Sequence, residues 1–224
     1  MGRPERIDIG GTVYHVINRA NFRSTLFFKE KEYQQFIDIL KEAKELTSMR
    51  ILSYCLMPNH WHLVLYPKND GDLSRYMHWV TLTHTRRYHS NTKTIGYGHI
   101  YQGRYKSILV QKDRYFWSLI RYVERNAKRG GFVKNAEDWK WSSIHVRLKG
   151  NEEQKKLLSP WPVEEPKDYS EWINRPEPKE EIETIRYAIQ RNRPYGSNQW
   201  VEATVKRFGL QSTTRDPWRP RKGT

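Results

Sequence analysis

Residues 50–66, RILSYCLMPNHWHLVLY, hold two apolar runs, Arg50 to Met57 and His60 to Tyr66, parted by Pro58-Asn59. A proline followed by an asparagine is turn chemistry, so the stretch predicts an antiparallel hairpin. Strand alternation in the second run sends Trp61, Leu63 and Leu65 to one face and His60 and His62 to the other. The apolar set predicts a helical layer on its own side. The two imidazoles, with Cα atoms roughly 7 Å apart, share the opposite side.

On the N-terminal side of the hairpin, Thr12 to Asn18 (TVYHVIN) follows Gly10-Gly11 and reads as a strand. Between them Tyr33, Phe36, Ile37, Leu40 and Ala43 recur at helical spacing within Glu30 to Leu46. On the C-terminal side, Asp70-Gly71 marks a turn and Leu73 to about Tyr88 forms a second amphipathic helix. After the polar loop Ser90 to Gly98, Tyr101 to Gln111 (YQGRYKSILVQ) is a strand. The order β-α-β-β-α-β predicts an α+β, ferredoxin-like sheet with both helices on one face and the other face open for a site. Asp113 then caps a helix that runs to about Arg129 and stops at Gly130-Gly131. Residues 1–148 are expected to form one domain, and 149–179, rich in Glu, Lys and Pro, a linker. Residues 180–224 are expected to be a basic helical extension, with helices over Glu180 to Gln190 and over Ser197 to Phe208, the latter stopped by Gly209.

The 224 residues include 40 Lys and Arg against 25 Asp and Glu, a net charge of +15 that points to a polyanion, and inside a cell most often to nucleic acid. Nine Trp and fourteen Tyr suit stacking on unpaired bases. A single cysteine, Cys55, excludes a disulfide scaffold and fits a reducing cytosol. The longest apolar runs fall short of the roughly 20 residues of a membrane helix, and MGRPERIDIGG lacks the apolar core of a signal peptide. A soluble, intracellular protein with no membrane partner is therefore expected.

Two neutral imidazoles converging on one divalent ion need further ligands. With no cysteine pair and no third histidine at zinc spacing, a closed structural zinc site is disfavoured. An open site completed by water and phosphate oxygen suits phosphoryl transfer. The helix RYFWSLIRYVERNAKRGG, residues 114–131, is the second feature. Tyr122 and Asn126 are four apart and share a face, which Tyr115 and Leu119 continue, while Phe116, Ile120, Val123 and Ala127 turn toward a core. Basic residues crowd this part of the chain. Taken singly, neither the histidine pair nor the tyrosine separates chemistry from packing.

Four motifs in order and spacing, GRPERIDIGGTVYHVINRAN, YCLMPNHWHLVLY, YQGRYKSILV and LIRYVERNAKRGGFVKNAEDWKWSS, resemble the single-tyrosine HUH transposases, specifically the REP-associated tyrosine transposases. The resemblance covers roughly residues 3–148, and RPYGSNQWVEATVKRFGL resembles an extension carried by some relatives. It implies a ferredoxin-like fold with the HUH motif, here His60-Trp61-His62, on a central strand. It also implies Mg²⁺ or Mn²⁺ held by His60, His62 and Asn126, with His15 the alternative third ligand. Tyr122 is the implied nucleophile, forming a 5′-phosphotyrosine, and Tyr115 is its rival. Many relatives read Asn-Pro where this chain has Asn126-Ala127. The implied substrate is single-stranded DNA flanking hairpins formed by palindromic repeats. Gln102, Arg104, Tyr105, Lys106, Arg121 and Arg125 are its expected contacts, and Tyr101 or Tyr105 a platform for bases. A monomer or homodimer in the cytoplasm, associated with the nucleoid, is expected. The alternatives are a non-catalytic hairpin DNA- or RNA-binding protein derived from such an enzyme, and a metal-dependent phosphodiesterase that uses water.

Overall fold

Both strands of the hairpin form, as β2 (Arg50–Met57) and β3 (His60–Tyr66), with Pro58-Asn59 as the turn. The computed structural model describes residues 7–215. The first six residues and the end of the basic tail, 216–224, lie outside the described residues. With β1 (Val13–Arg19) and β4 (Lys106–Val110) the hairpin makes a four-stranded sheet in the order β2-β3-β1-β4. Every pairing in it is antiparallel. The helices α1 (Glu30–Thr47) and α2 (Asp72–Thr92) fall between β1 and β2 and between β3 and β4, so the βαββαβ, ferredoxin-like order holds. They cover the face bearing Trp61, Leu63 and Leu65, which are fully buried among Phe36, Leu40, Tyr76 and Met77.

The opposite face is not open. Leu52, Cys55, Val64, Ile108 and Val110 are buried there against Phe116, Ile120 and Val123 of α3 (Arg114–Glu124) and against Ile173, Ile185 and Tyr195 from further along the chain. A sheet needs cover on each apolar face, and β2 is apolar on both, with seven of its eight residues buried. Only the end of the sheet near His60 is left as a cleft.

The segment 149–179, expected as a linker, is packed. It follows α5 (Ser143–Lys149) and contains α6 (Glu152–Lys155) and α7 (Tyr169–Asn174). Leu157, Tyr169 and Ile173 are buried, and the Ser159 amide donates to Ile51 O at 2.8 Å. A few apolar anchors fix a segment whose charged residues face water, and composition averages them away. Two further departures matter for the site. The helix expected over 113–129 breaks at Arg125 (φ −84°, ψ 2°), so Asn126 begins a separate turn, α4 (Asn126–Arg129). The last strand is shorter than expected, and Tyr101 makes only an isolated bridge to Ala20. The caps form as predicted. The Asp113 carboxylate accepts from the Tyr115 amide at 2.9 Å, and Ser197 Oγ from the Trp200 amide at 3.3 Å. The latter opens α9 (Asn198–Phe208), which follows α8 (Lys179–Arg191). Among the described residues no helix is long and apolar enough to cross a membrane.

Candidate active site

His60 and His62 lie on one face of β3, and His15 lies on the same face of β1. The register pairs His15 with Val64 and Ile17 with His62, so His15 is the diagonal neighbour of His62. Their rings are parallel to within 3°, with centroids 5.1 Å apart, and His15 Nε2 is 2.9 Å from His62 Nδ1. The His60 and His62 rings meet edge to face at 5.1 Å. His60 Nδ1 donates to Asn59 Oδ1 at 2.7 Å, which leaves its Nε2 as a lone pair.

Burial keeps these rings neutral. It lowers the His15 pKa to about 3; at His60, burial and then the charges of Arg19 and Arg129 lower it to about 4. His62 is held well below its ordinary value by burial first and then by its imidazole and arginine neighbours. Neutral imidazoles are the form that ligates a metal.

Tyr122 reaches this cluster from α3. Its ring stands edge to face against His62 at 5.9 Å and against His15 at 6.3 Å. Arg129 holds it from the other side, with its guanidinium 4.3 Å from the ring centre and Nη2 donating to Tyr122 O at 2.9 Å. The Arg129 Nη1 pairs with Glu177 at 2.6 Å. Tyr122 and Asn126 line the same cleft as His60 and His62. Tyr115 does not line it. Its ring packs on Tyr195 at 5.2 Å and its hydroxyl accepts from Arg114.

Of the six expected DNA contacts, Gln102, Arg104, Tyr105 and Lys106 line the cleft. Arg121 and Arg125 do not. Arg121 pairs with Glu181 at 2.8 Å and stacks on Trp172, and Arg125 pairs with Glu177. A helix face that is basic in sequence is thus matched by acidic residues more than fifty positions away. Tyr101 is no platform for bases, because its hydroxyl is held by Trp61 Nε1 at 3.1 Å and His84 Nδ1 at 2.5 Å in the core. Among the further cleft residues are Arg129 and Arg19. Arg129 is seven residues after Tyr122, two helical turns on, and Arg19 is four after His15, on the same face of a strand. Both spacings could have found them.

The donors fit an open divalent site. No group of three or more His, Cys, Asp or Glu among the described residues is arranged to hold a metal ion. His15 is turned to His62 and offers no Nε2 lone pair outward. That leaves the Nε2 atoms of His60 and His62 and the Asn126 amide, with water or substrate oxygen to complete the shell. Two imidazole nitrogens and one amide, with water or substrate oxygen for the rest, make an open set and not the closed four-ligand shell of structural zinc.

Comparison with known proteins settles the family. The model of the family described as Transposase IS200 like matches residues 9–126. The chain belongs to that family. Among the relatives of this IS200-like chain, the REP-associated tyrosine transposase of Escherichia coli strain K12 is 24% identical over 137 residues, 61% of this chain and 78% of its own. A Haemophilus influenzae relative is 24% identical over 123 residues, 51% of this chain and 70% of its own. Among solved structures, a REP-associated tyrosine transposase bound to a REP hairpin superposes with a TM-score of 0.54 at 21% identity, covering 65% of this chain and 84% of that one. That likeness supports the fold. The family match and these relatives make the function transposase-like.

Proposed function

We propose that the protein cuts and rejoins single-stranded DNA beside hairpin-forming repeats through a covalent tyrosine intermediate. One observation carries the reading: a tyrosine ring 5.9 Å from the second of two neutral histidines, in a cationic cleft.

His60, His62 and Asn126 would hold Mg²⁺ or Mn²⁺, which when bound withdraws charge from a phosphate oxygen. The chain's own residues do the rest. Arg129 fixes the Tyr122 ring from behind, and its fixed position makes the attack effectively intramolecular once a strand is bound. The Tyr122 Oη–P bond forms as the P–O3′ bond breaks. The phenolic proton passes to solvent water, and the 3′ oxygen takes one proton from solvent to become a free hydroxyl, so the step is proton-neutral. The product, a 5′-phosphotyrosine, keeps a phosphodiester's bond energy, so a 3′ hydroxyl can reverse the step without ATP. Arg104 and Arg19 would hold the backbone on either side of the scissile phosphate.

The hairpin substrate is drawn from the REP hairpin of the solved relative, and cytoplasmic action near the nucleoid goes with it. The test is incubation with Mn²⁺ and single-stranded DNA carrying candidate hairpins, followed by denaturing electrophoresis. A protein–DNA adduct in wild type that is absent in Tyr122→Phe is the expected result. An adduct in both assigns the nucleophile elsewhere. Binding without an adduct makes the protein a hairpin-binding module, and cleavage without one makes it a water-using phosphodiesterase.

A further inference from the structure

The residues after 179 lie beyond the 9–126 family match, yet they build one side of the cleft. Tyr195 pairs in parallel with Val110 along the free edge of β4, with the Tyr195 amide donating to Leu109 O at 2.8 Å and the Gln111 amide to Tyr195 O at 2.9 Å. Next to it Gly196 is wedged so tightly that a Cβ would sit 2.4 Å from the Trp200 ring and 2.6 Å from Gln111 Oε1. Lys106 Nζ donates to Ile189 O and Gln190 O, the last carbonyls of α8, where a cation is favoured. The end of α8 is thus docked over the sheet. Arg186 and Arg191 line the same cleft of about 1090 Å³ as His60, His62 and Tyr122.

The charge of that cleft is one-sided. Arg19, Arg104, Lys106, Arg129, Arg186 and Arg191 line it, and among the described residues no Asp or Glu does. Arg129 is paired with Glu177, Lys106 caps α8, and Arg191 donates to Ser212 O and Arg215 O. Arg186 is exposed and makes no ion pair or hydrogen bond with any described residue. Cations left facing one another across a groove repel, and a polyanion laid between them relieves that repulsion.

We propose that the C-terminal extension is the second wall of the DNA-binding cleft, in which Arg186, with Arg191 braced behind it, holds the phosphodiester backbone opposite Arg104. This rests on the hairpin-DNA reading above and adds to it a binding element outside the family's matched region. The contact is to phosphate, so it contributes affinity and register and not base choice.

The experiment measures binding of the full chain, without divalent metal, to a fluorescent DNA hairpin with a single-stranded flank across a salt series. Arg186→Ala should weaken binding roughly three- to tenfold, lower the log–log salt slope by about 1, and do so equally for hairpins of different sequence. Arg186→Glu should weaken it further. Lys206→Ala, which removes an exposed charge from α9 away from the cleft, should leave both values as in wild type. Wild-type affinity and slope in both Arg186 variants would overturn the proposal, as would a Lys206→Ala loss as large as that of Arg186→Ala, which would make the effect one of net charge. Failure of wild type to bind any hairpin would instead sink the reading on which the proposal stands. Arg186 is exposed and bonded to no described residue, so matching thermal melts confirm that the variants are folded.

Discussion

His15 Nε2 lies 2.9 Å from His62 Nδ1, and both rings are buried and neutral. One proton sits between them. If it is on His62, the His62 Nε2 is a lone pair aimed at the cleft; if it is on His15, that lone pair is lost. His15 Nδ1 has no hydrogen-bond partner, so nothing else on His15 sets the choice. In the proposed metal site, a group that orients His62 from behind in this way would govern metal affinity without touching the metal.

The first prediction follows from that pair. His15→Phe keeps the packing and removes the acceptor behind His62, and Mn²⁺ affinity should drop by about 10- to 100-fold, read by calorimetry or by electron paramagnetic resonance of free Mn²⁺. Affinity equal to wild type would show that His62 keeps its tautomer unaided.

The rival tyrosine gives a second. Because Tyr115 packs on Tyr195 and points away from the histidines, Tyr115→Phe should form the DNA adduct at the wild-type level under conditions where Tyr122→Phe forms none. An adduct lost with Tyr115 and kept without Tyr122 reverses the assignment.

Stability depends on a buried carboxyl. Glu124 is fully buried and accepts from Ser143 Oγ at 2.6 Å, Ser53 Oγ at 3.1 Å and the Tyr169 hydroxyl, tying α3 to β2, α5 and α7. Burial raises its pKa above the ordinary carboxylate value. Glu124→Ala takes the acceptor from the Tyr169 hydroxyl, leaves Ser143 Oγ only Tyr54 O and Ser53 Oγ only Ser143 Oγ, and opens a gap, at a cost of about 2–4 kcal/mol, whereas Glu124→Gln should lose much less. Urea midpoints decide it, and equal losses in the two variants would mean that the carboxylate's second acceptor oxygen, and not the filled volume, is what matters there.

A pH effect comes from the far side of the sheet. His84 is buried, its Nδ1 accepts from the Tyr101 hydroxyl, and burial lowers its pKa to about 3. The unfolded chain takes up this proton near pH 6.5 and the folded chain does not. The stabilisation is therefore complete above about 6.5 and is lost as pH falls toward about 3. Between pH 7 and pH 5 one such imidazole is worth about 2 kcal/mol. His84→Leu should remove that share of the pH dependence of urea unfolding, and identical slopes in variant and wild type would refute it.

The hairpin at 50–66 made the sheet legible, because alternation, turn chemistry and helical spacing act within a few residues of one another. The same local rules located His60, His62, Tyr122 and Asn126 and the caps Asp113 and Ser197. They could not show that Glu177 and Glu181 would meet Arg125 and Arg121, or that Tyr195 would lie along β4, since those partners are brought together only by the complete fold. Reading 149–179 as a linker failed for a related reason: Leu157, Tyr169 and Ile173 are too few to change an average, yet each fills a place in the core.

Tyr195 has a counterpart at the other margin of the sheet. There Cys55 pairs with Ser142, the Leu56 amide donates to Trp141 O at 2.9 Å, and Ser159 bonds to Ile51. Both outer strands are therefore sealed by chain that comes after residue 140. A bare strand edge is a template for adding another molecule's strand. The ferredoxin-like core cut out at 126 would carry two such edges at once, each flanked by newly uncovered apolar surface. The chain after residue 140 thus occupies positions on both outer strands at which another molecule's strand could otherwise add.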